Sequence, residues 1–185
     1  MNFDLTNQFL IAMPSLADPN FSQTVTYVCA HSDEGAMGIV INRPLDIELD
    51  EVLSQMNIDG GERNVRARPV FKGGPVQPDR GFVIHRPMRE WDSTICVSPD
   101  IGISTSRDIL EAINSGDGPN DSLVALGYAG WGAGQLEQEM AQNAWLSGPV
   151  DSDIIFSTPP ADRWSSAAKV LGVDLASLSS DAGHA

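Results

Sequence analysis

Gly127-Tyr-Ala-Gly-Trp-Gly-Ala-Gly-Gln-Leu-Glu137 is the stretch on which the fold turns. Four glycines recur at every second or third position, with Trp131 at their centre. The apolar run Leu123-Val-Ala-Leu126 precedes them, and apolar residues at helical spacing follow from Leu136 to Leu146. The pattern reads as a strand, a glycine turn and a helix. Glycine is used where the chain needs positive φ or where another group approaches the backbone closely. Four around one aromatic therefore predict a shaped junction packed on Trp131.

A dinucleotide turn needs G-x-G-x-x-G. Here Gly130, Gly132 and Gly134 run G-x-G-x-G, and Gln135 stands where the third glycine belongs. Glu137 and Glu139 suit the dipole of a helix start but repel a phosphate placed there. The acids Asp151 and Asp153 precede the next apolar run, whereas a ribose-binding acid ends a strand.

Outward from this junction, strands are expected at Phe9–Met13, Gln23–Ala30 and Ala36–Ile41, with hairpin chemistry at His31-Ser-Asp-Glu-Gly35. Apolar positions 49, 52, 53 and 56 predict a helix over Leu49–Met56. Residues 57–68 read as a polar, mobile loop. Val70-Phe71 and Gly81–His85 are expected strands around the turn Gly73-Gly-Pro-Val76, and Thr94–Val97 with Ile101–Ser104 a further hairpin. Thr105 and Asp108 announce a helix over Ser106–Asn114. A strand at Ile154–Phe156 and a helix over Ala161–Leu171, ended by Gly172, complete the series. The expected class is α/β (α+β): a mixed sheet with flanking helices, in one domain spanning 1–185 or in two small, intimately packed halves.

The net charge of −14 and pI of about 4.3 argue against direct binding to nucleic acid or to an anionic membrane. No apolar run approaches the ~20 residues of a membrane helix. Met1-Asn-Phe-Asp-Leu5 lacks the basic region of a secretory signal, so a cytoplasmic location is expected. Nine of the eleven bases lie between Arg43 and Arg107, and nine are arginines. Structural ion pairing is the preferred reading, with a local anion site as the alternative.

Metal chemistry finds little support: His31, His85 and His184 have no paired spacing, and no C-x-x-C occurs. No cofactor motif is present either; G-x-S-x-G and the phosphate-binding P-loop are absent. Cys29-Ala-His31 is the best nucleophile candidate, since residues two apart on a strand share a face. A structural cysteine is preferred, because Cys29 continues the apolar face of Val25 and Tyr27. Cys29 and Cys96 are expected to be reduced and buried, a disulfide between them staying open from sequence alone. Asn42 and Arg43 end one strand, His85 and Arg86 another. Polar groups at strand ends beside glycine loops build ligand clefts, although turn chemistry explains each singly. Gln135, Glu137, Asn143 and Trp145 lie on or beside one expected helix.

Several blocks taken in order resemble the AlgH/YqgE family of bacterial proteins. They are Phe9-Leu-Ile-Ala-Met-Pro14, Gly35-Ala-Met-Gly-Ile-Val-Ile-Asn-Arg-Pro44, Gly73-Gly-Pro-Val76, Gly81-Phe-Val-Ile-His85, Ser106-Arg-Asp-Ile-Leu110, Gly127 to Glu137, Asn143-Ala-Trp145 and Gly183-His-Ala185. The resemblance implies a compact α/β protein of the bacterial cytoplasm, with a regulatory role in alginate production, and implies no reaction. Its blocks contain Asn42, Arg43, Gly74, Pro75, His85, Trp131, Gln135 and Glu137, which become the candidate binding residues. The leading expectation is a binding or regulatory protein that recognises a small molecule or a protein partner through the loops after residues 41, 72, 85 and 127. The alternative is an enzyme using His85, Glu137 or Cys29 with Arg43 as an anion anchor.

Overall fold

The computed structural model describes residues 4–178, which leaves His184 and the block Gly183–Ala185 outside the described residues. The strands are β1 (Gln8–Ala12), β2 (Val25–Ser32), β3 (Gly35–Val40), β4 (Pro44–Glu48), β5 (Pro69–Lys72), β6 (Val76–Arg86), β7 (Thr94–Cys96), β8 (Gly102–Ser104), β9 (Asp121–Gly132) and β10 (Trp145–Pro149). The helices are α1 (Leu49–Gln55), α2 (Arg63–Arg66), α3 (Arg107–Ser115), α4 (Gln135–Ala141), α5 (Ser152–Phe156) and α6 (Arg163–Val170). One curled sheet runs in the order β10-β1-β2-β3-β9-β6-β8-β7, with β5 between β4 and β9 off that path. The β5–β9 pair is parallel and the other described pairs are antiparallel, so the sheet is mixed and the fold is α/β.

Strand β9 organises the molecule. One edge pairs with β6. The other pairs with β5 at Ala125 and Leu126, then with β3 from Ala129 to Gly132. Helices cover both faces of the sheet. On β1, Phe9 and Ile11 enter the core beneath α5 and α6, while Leu10 and Ala12 enter the core beneath α4. That alternation is the two-residue period of a strand. A third core packs α1 and α3 on Val70, Val83 and Val124.

The glycine stretch forms no turn at its start, contrary to expectation. Strand β9 continues through it to Gly132, and the chain turns only at Ala133–Gly134. Gly127 sits in the left-handed region (φ 80°) and shifts the strand's phase by one residue. Before it, Leu123 and Ala125 face the α5–α6 core; after it, Ala129 and Trp131 face the α4 core. A β-carbon at Gly127 would lie 2.5 Å from the Gly74 carbonyl oxygen. The glycines thus let the β5–β6 turn lie directly on β9.

Other differences have local causes. Asn143, in left-handed conformation (φ 60°), takes the chain out of α4, so Trp145 begins an edge strand instead of continuing a helix. Asp151 accepts the Asp153 amide and caps a helical turn, so Ile154–Phe156 is helical and not a strand. Leu45 and Ile47 alternate along β4, a strand that follows the expected strand end at Asn42-Arg43-Pro44 and that the sequence pattern did not announce. The polar segment 57–68 contains α2, held by Arg66. That buried guanidinium bonds Asp50 (2.5 Å), the Ile58 and Gly60 carbonyls and Asn114 (each 3.0 Å). Cys96 is exposed, not buried, and both cysteines are free.

Candidate functional site

The residues singled out by sequence fall into separate places. Asn42 holds the turn before β2: its Oδ1 accepts the Val25 amide and its Nδ2 donates to the Gln23 carbonyl, both at 2.9 Å. Arg43 donates to the Pro19 and Ser22 carbonyls at 2.6 and 2.7 Å. Its fork is engaged within the fold. Gly74 and Pro75 lead into β6, where the Gly74 α-carbon lies on the β9 backbone at Tyr128.

His85 is fully buried. Its Nδ1 donates to the Pro87 carbonyl (3.1 Å), so its Nε2 accepts from the Ser104 hydroxyl (2.8 Å). The ring is neutral in this arrangement, and burial holds its pKa below the ordinary histidine value.

Trp131 and Gln135 do meet, around Glu139, which the sequence marked only as an acid at the helix start. The Glu139 carboxylate accepts the indole N–H of Trp131 (3.1 Å) and of Trp145 (2.9 Å) on one oxygen. Its other oxygen accepts the Gln135 amide (2.9 Å). Phe21 stacks on Trp131 with ring centroids 6.0 Å apart. Two residues earlier on α4, Glu137 accepts from His31 Nε2 at 2.8 Å, while His31 Nδ1 accepts the Leu5 amide at 2.9 Å. The His31 bond holds the Glu137 carboxyl below its ordinary range. Both imidazole nitrogens are thereby engaged.

The expected pairing of Cys29 with His31 across one strand face is undone by a β-bulge. Register passes from Val28↔Gly38 to Ala30↔Met37, leaving Cys29 as the extra residue. Cys29 stays in the α5–α6 core, and His31 turns to the α4 side. Burial pushes the Cys29 thiol pKa strongly upward, against thiolate formation. No hydrogen bond or ion pair joins any two of His85, Glu137, Cys29 and Arg43. Among the described residues, no cluster of three or more His, Cys, Asp or Glu side chains has metal-binding geometry.

The concave site lies elsewhere. A cleft of about 590 Å³ opens between α1, the start of α3 and the sheet face of β6 and β9. Val52, Val83, Leu110, Val124 and Leu126 form its apolar floor. Glu51, Gln55, Asp79, Arg80 and Thr105 stand around it. An apolar floor with few polar groups at the rim is the usual make-up of a small-molecule site. None of the candidate binding or catalytic residues read from the sequence lines it. The signals available were the helical spacing of α1 and the capping residues of α3, which mark elements and not the space between them. A shallower groove of about 570 Å³ runs past Trp131, His31, Met37 and Tyr128.

Fold and site define an acidic α/β protein with a curled mixed sheet and a cleft under two of its helices. The chain belongs to the AlgH-like family, whose model matches residues 9–176. It is 59% identical over 182 residues to a UPF0301 protein of Thioalkalivibrio sulfidiphilus, covering 98% of this chain and 97% of that one. With a UPF0301 protein of Nitrosococcus oceani it shares 55% identity over 179 residues, covering 97% and 96%. The solution structure of the AlgH protein from Pseudomonas aeruginosa superposes with a TM-score of 0.81 at 50% identity, over 95% of this chain and 93% of that one. Protein DIP2367 from Corynebacterium diphtheriae shares the fold at 18% identity and a TM-score of 0.77, over 96% and 93%. Among the described residues, no helix is long and apolar enough to cross a membrane.

Proposed function

We propose that this chain is a cytosolic ligand-binding protein that acts by occupancy of the cleft between α1, α3 and the β6–β9 face. The observation that carries the reading is the cleft itself: about 590 Å³ of space over an apolar floor, with charged and hydroxyl groups at its rim. That volume lies in the range of small-molecule pockets, typically ~300–1,000 Å³. The occupant is a small, largely apolar molecule with a few polar groups. Two free cysteines accord with a reducing compartment. The regulatory role implied by the family resemblance is then indirect, exerted through a bound metabolite and what the liganded surface recruits. An acidic chain of net charge −14 suits that route better than contact with DNA.

Native mass spectrometry of gently purified protein tests the reading. A stoichiometric added mass is expected, and it should vanish in Leu126→Trp, which fills the cleft from β9 while circular dichroism stays native. An added mass retained by Leu126→Trp moves the ligand elsewhere, and a bare protein mass from the native host overturns small-molecule binding in favour of a protein partner.

A further inference from the structure

A second cavity, of about 300 Å³, lies at the β5–β9 pair and is lined from α5, the start of α6 and the first residue of α1. Arg163 lines it and is 5% exposed. Its Nε donates to the Thr158 carbonyl (2.8 Å), its Nη1 to the Ile41 carbonyl (2.5 Å), and its guanidinium lies over the Phe71 ring at 5.0 Å. Nη2 makes no hydrogen bond, and no carboxylate pairs with Arg163 among the described residues. Buried cations are ordinarily paired, because desolvating an isolated charge is costly. Burial alone brings the Arg163 pKa down to about 10, in line with a missing counter-charge.

The rest of the lining points the same way. Arg68 also faces this cavity and has only a long contact to the Ser122 hydroxyl, at 3.4 Å. The single acid in the lining, Asp121, is already neutralised by Arg86, whose Nε and Nη2 donate to it at 2.9 and 2.6 Å. The cavity therefore holds one buried arginine without a counter-charge, Arg163, with the exposed Arg68 beside it. Its walls are mixed: Asn120 and Ser122 add to the polar part, and Leu49, Phe71, Leu123, Ile155 and Phe156 supply an apolar part.

We infer that this cavity is a binding site for a small monocarboxylate with an apolar body. An arginine fork matches a carboxylate's two oxygens, and the guanidinium's free edge is the part left unbonded. Polyanions fit poorly: the space is small and the chain's overall field is negative. The site is distinct from the α1–α3 cleft; of their lining residues the two share only Val124.

Titration with benzoate, followed through amide resonances of the 15N-labelled protein, tests this. Saturable shifts are expected at Ser122, Leu123 and Phe156, with no response at Asp79 and Thr105 in the other cleft. Benzamide, uncharged and nearly the same shape, should bind at least ten-fold more weakly, as should benzoate to Arg68→Gln. Arg163→Gln should abolish binding. If that variant fails to fold, the benzamide and Arg68→Gln comparisons decide alone. Absent or non-saturating shifts, equal binding of benzamide, or displacement of benzoate by equimolar inorganic phosphate would each overturn the assignment. Shifts confined to the other cleft would overturn it while supporting the separate reading of that cleft.

Discussion

At the scale of single residues, two acids on α4 do different work. Glu139 receives the indole N–H groups of Trp131 and Trp145 on one oxygen, and both indoles are buried. Leaving a buried donor unsatisfied costs ~1–3 kcal/mol per group. Glu139→Ala is therefore expected to destabilise by about 2–4 kcal/mol in urea unfolding, and Glu139→Gln, which keeps a carbonyl acceptor, by clearly less. Glu137 instead couples the fold to pH. Its bond from His31 lowers its folded-state pKa, so its contribution is present above the ordinary glutamate value of about 4.3 and fades as pH falls through the folded value. Urea midpoints at pH 7 and pH 3 should thus differ less for Glu137→Gln than for the native protein; an unchanged difference would refute the coupling. Arg43 and Trp131 belong to the frame as well. Arg43 is engaged with two carbonyls and the Trp131 indole is buried, so alanine at either position removes part of that frame.

At the scale of elements, the β2 bulge decides which chemistry is available. It separates Cys29 from His31, turning the histidine to Glu137 and leaving the thiol in an apolar core. In the native state an aromatic disulfide reagent should titrate one thiol quickly, that of exposed Cys96. Cys29 should react only at the rate of unfolding, which denaturant titration of both thiols would reveal. Fast labelling of both would mean that β2 opens far more readily than a central strand should. The two-residue strand period in the sequence could not show the bulge, because one unpaired residue leaves no compositional mark.

At the scale of the whole molecule, Gly127 divides the cores. Its left-handed conformation turns β9 from one face of the sheet to the other, and its missing β-carbon admits the β5–β6 turn. Gly127→Ala combines backbone strain of ~1–3 kcal/mol with a clash against the Gly74 carbonyl worth a further ~1–3 kcal/mol. A loss of about 2–5 kcal/mol is expected, read as a lower thermal midpoint with tryptophan fluorescence reporting the α4 core. An unchanged midpoint would show that the close approach of the two segments is not needed.

Sequence by itself determined the class of fold, most of the strands and the helices α1, α3 and α6. Those features rest on local periods, caps and apolar runs, all of which are written along the chain. It also determined that Trp131 with its glycines marks a packed junction. Short elements went astray where a local rule was ambiguous: three apolar residues at Ile154–Phe156 fit either period, and Asn143 could extend a helix or end it. Only the tertiary structure decided that Glu137 meets His31, 106 positions away, and that Arg163 crosses to the Ile41 carbonyl, 122 positions away. It alone placed the two cavities, because a cavity is enclosed by segments that meet only after folding, and long-range juxtaposition has no period for a sequence to display.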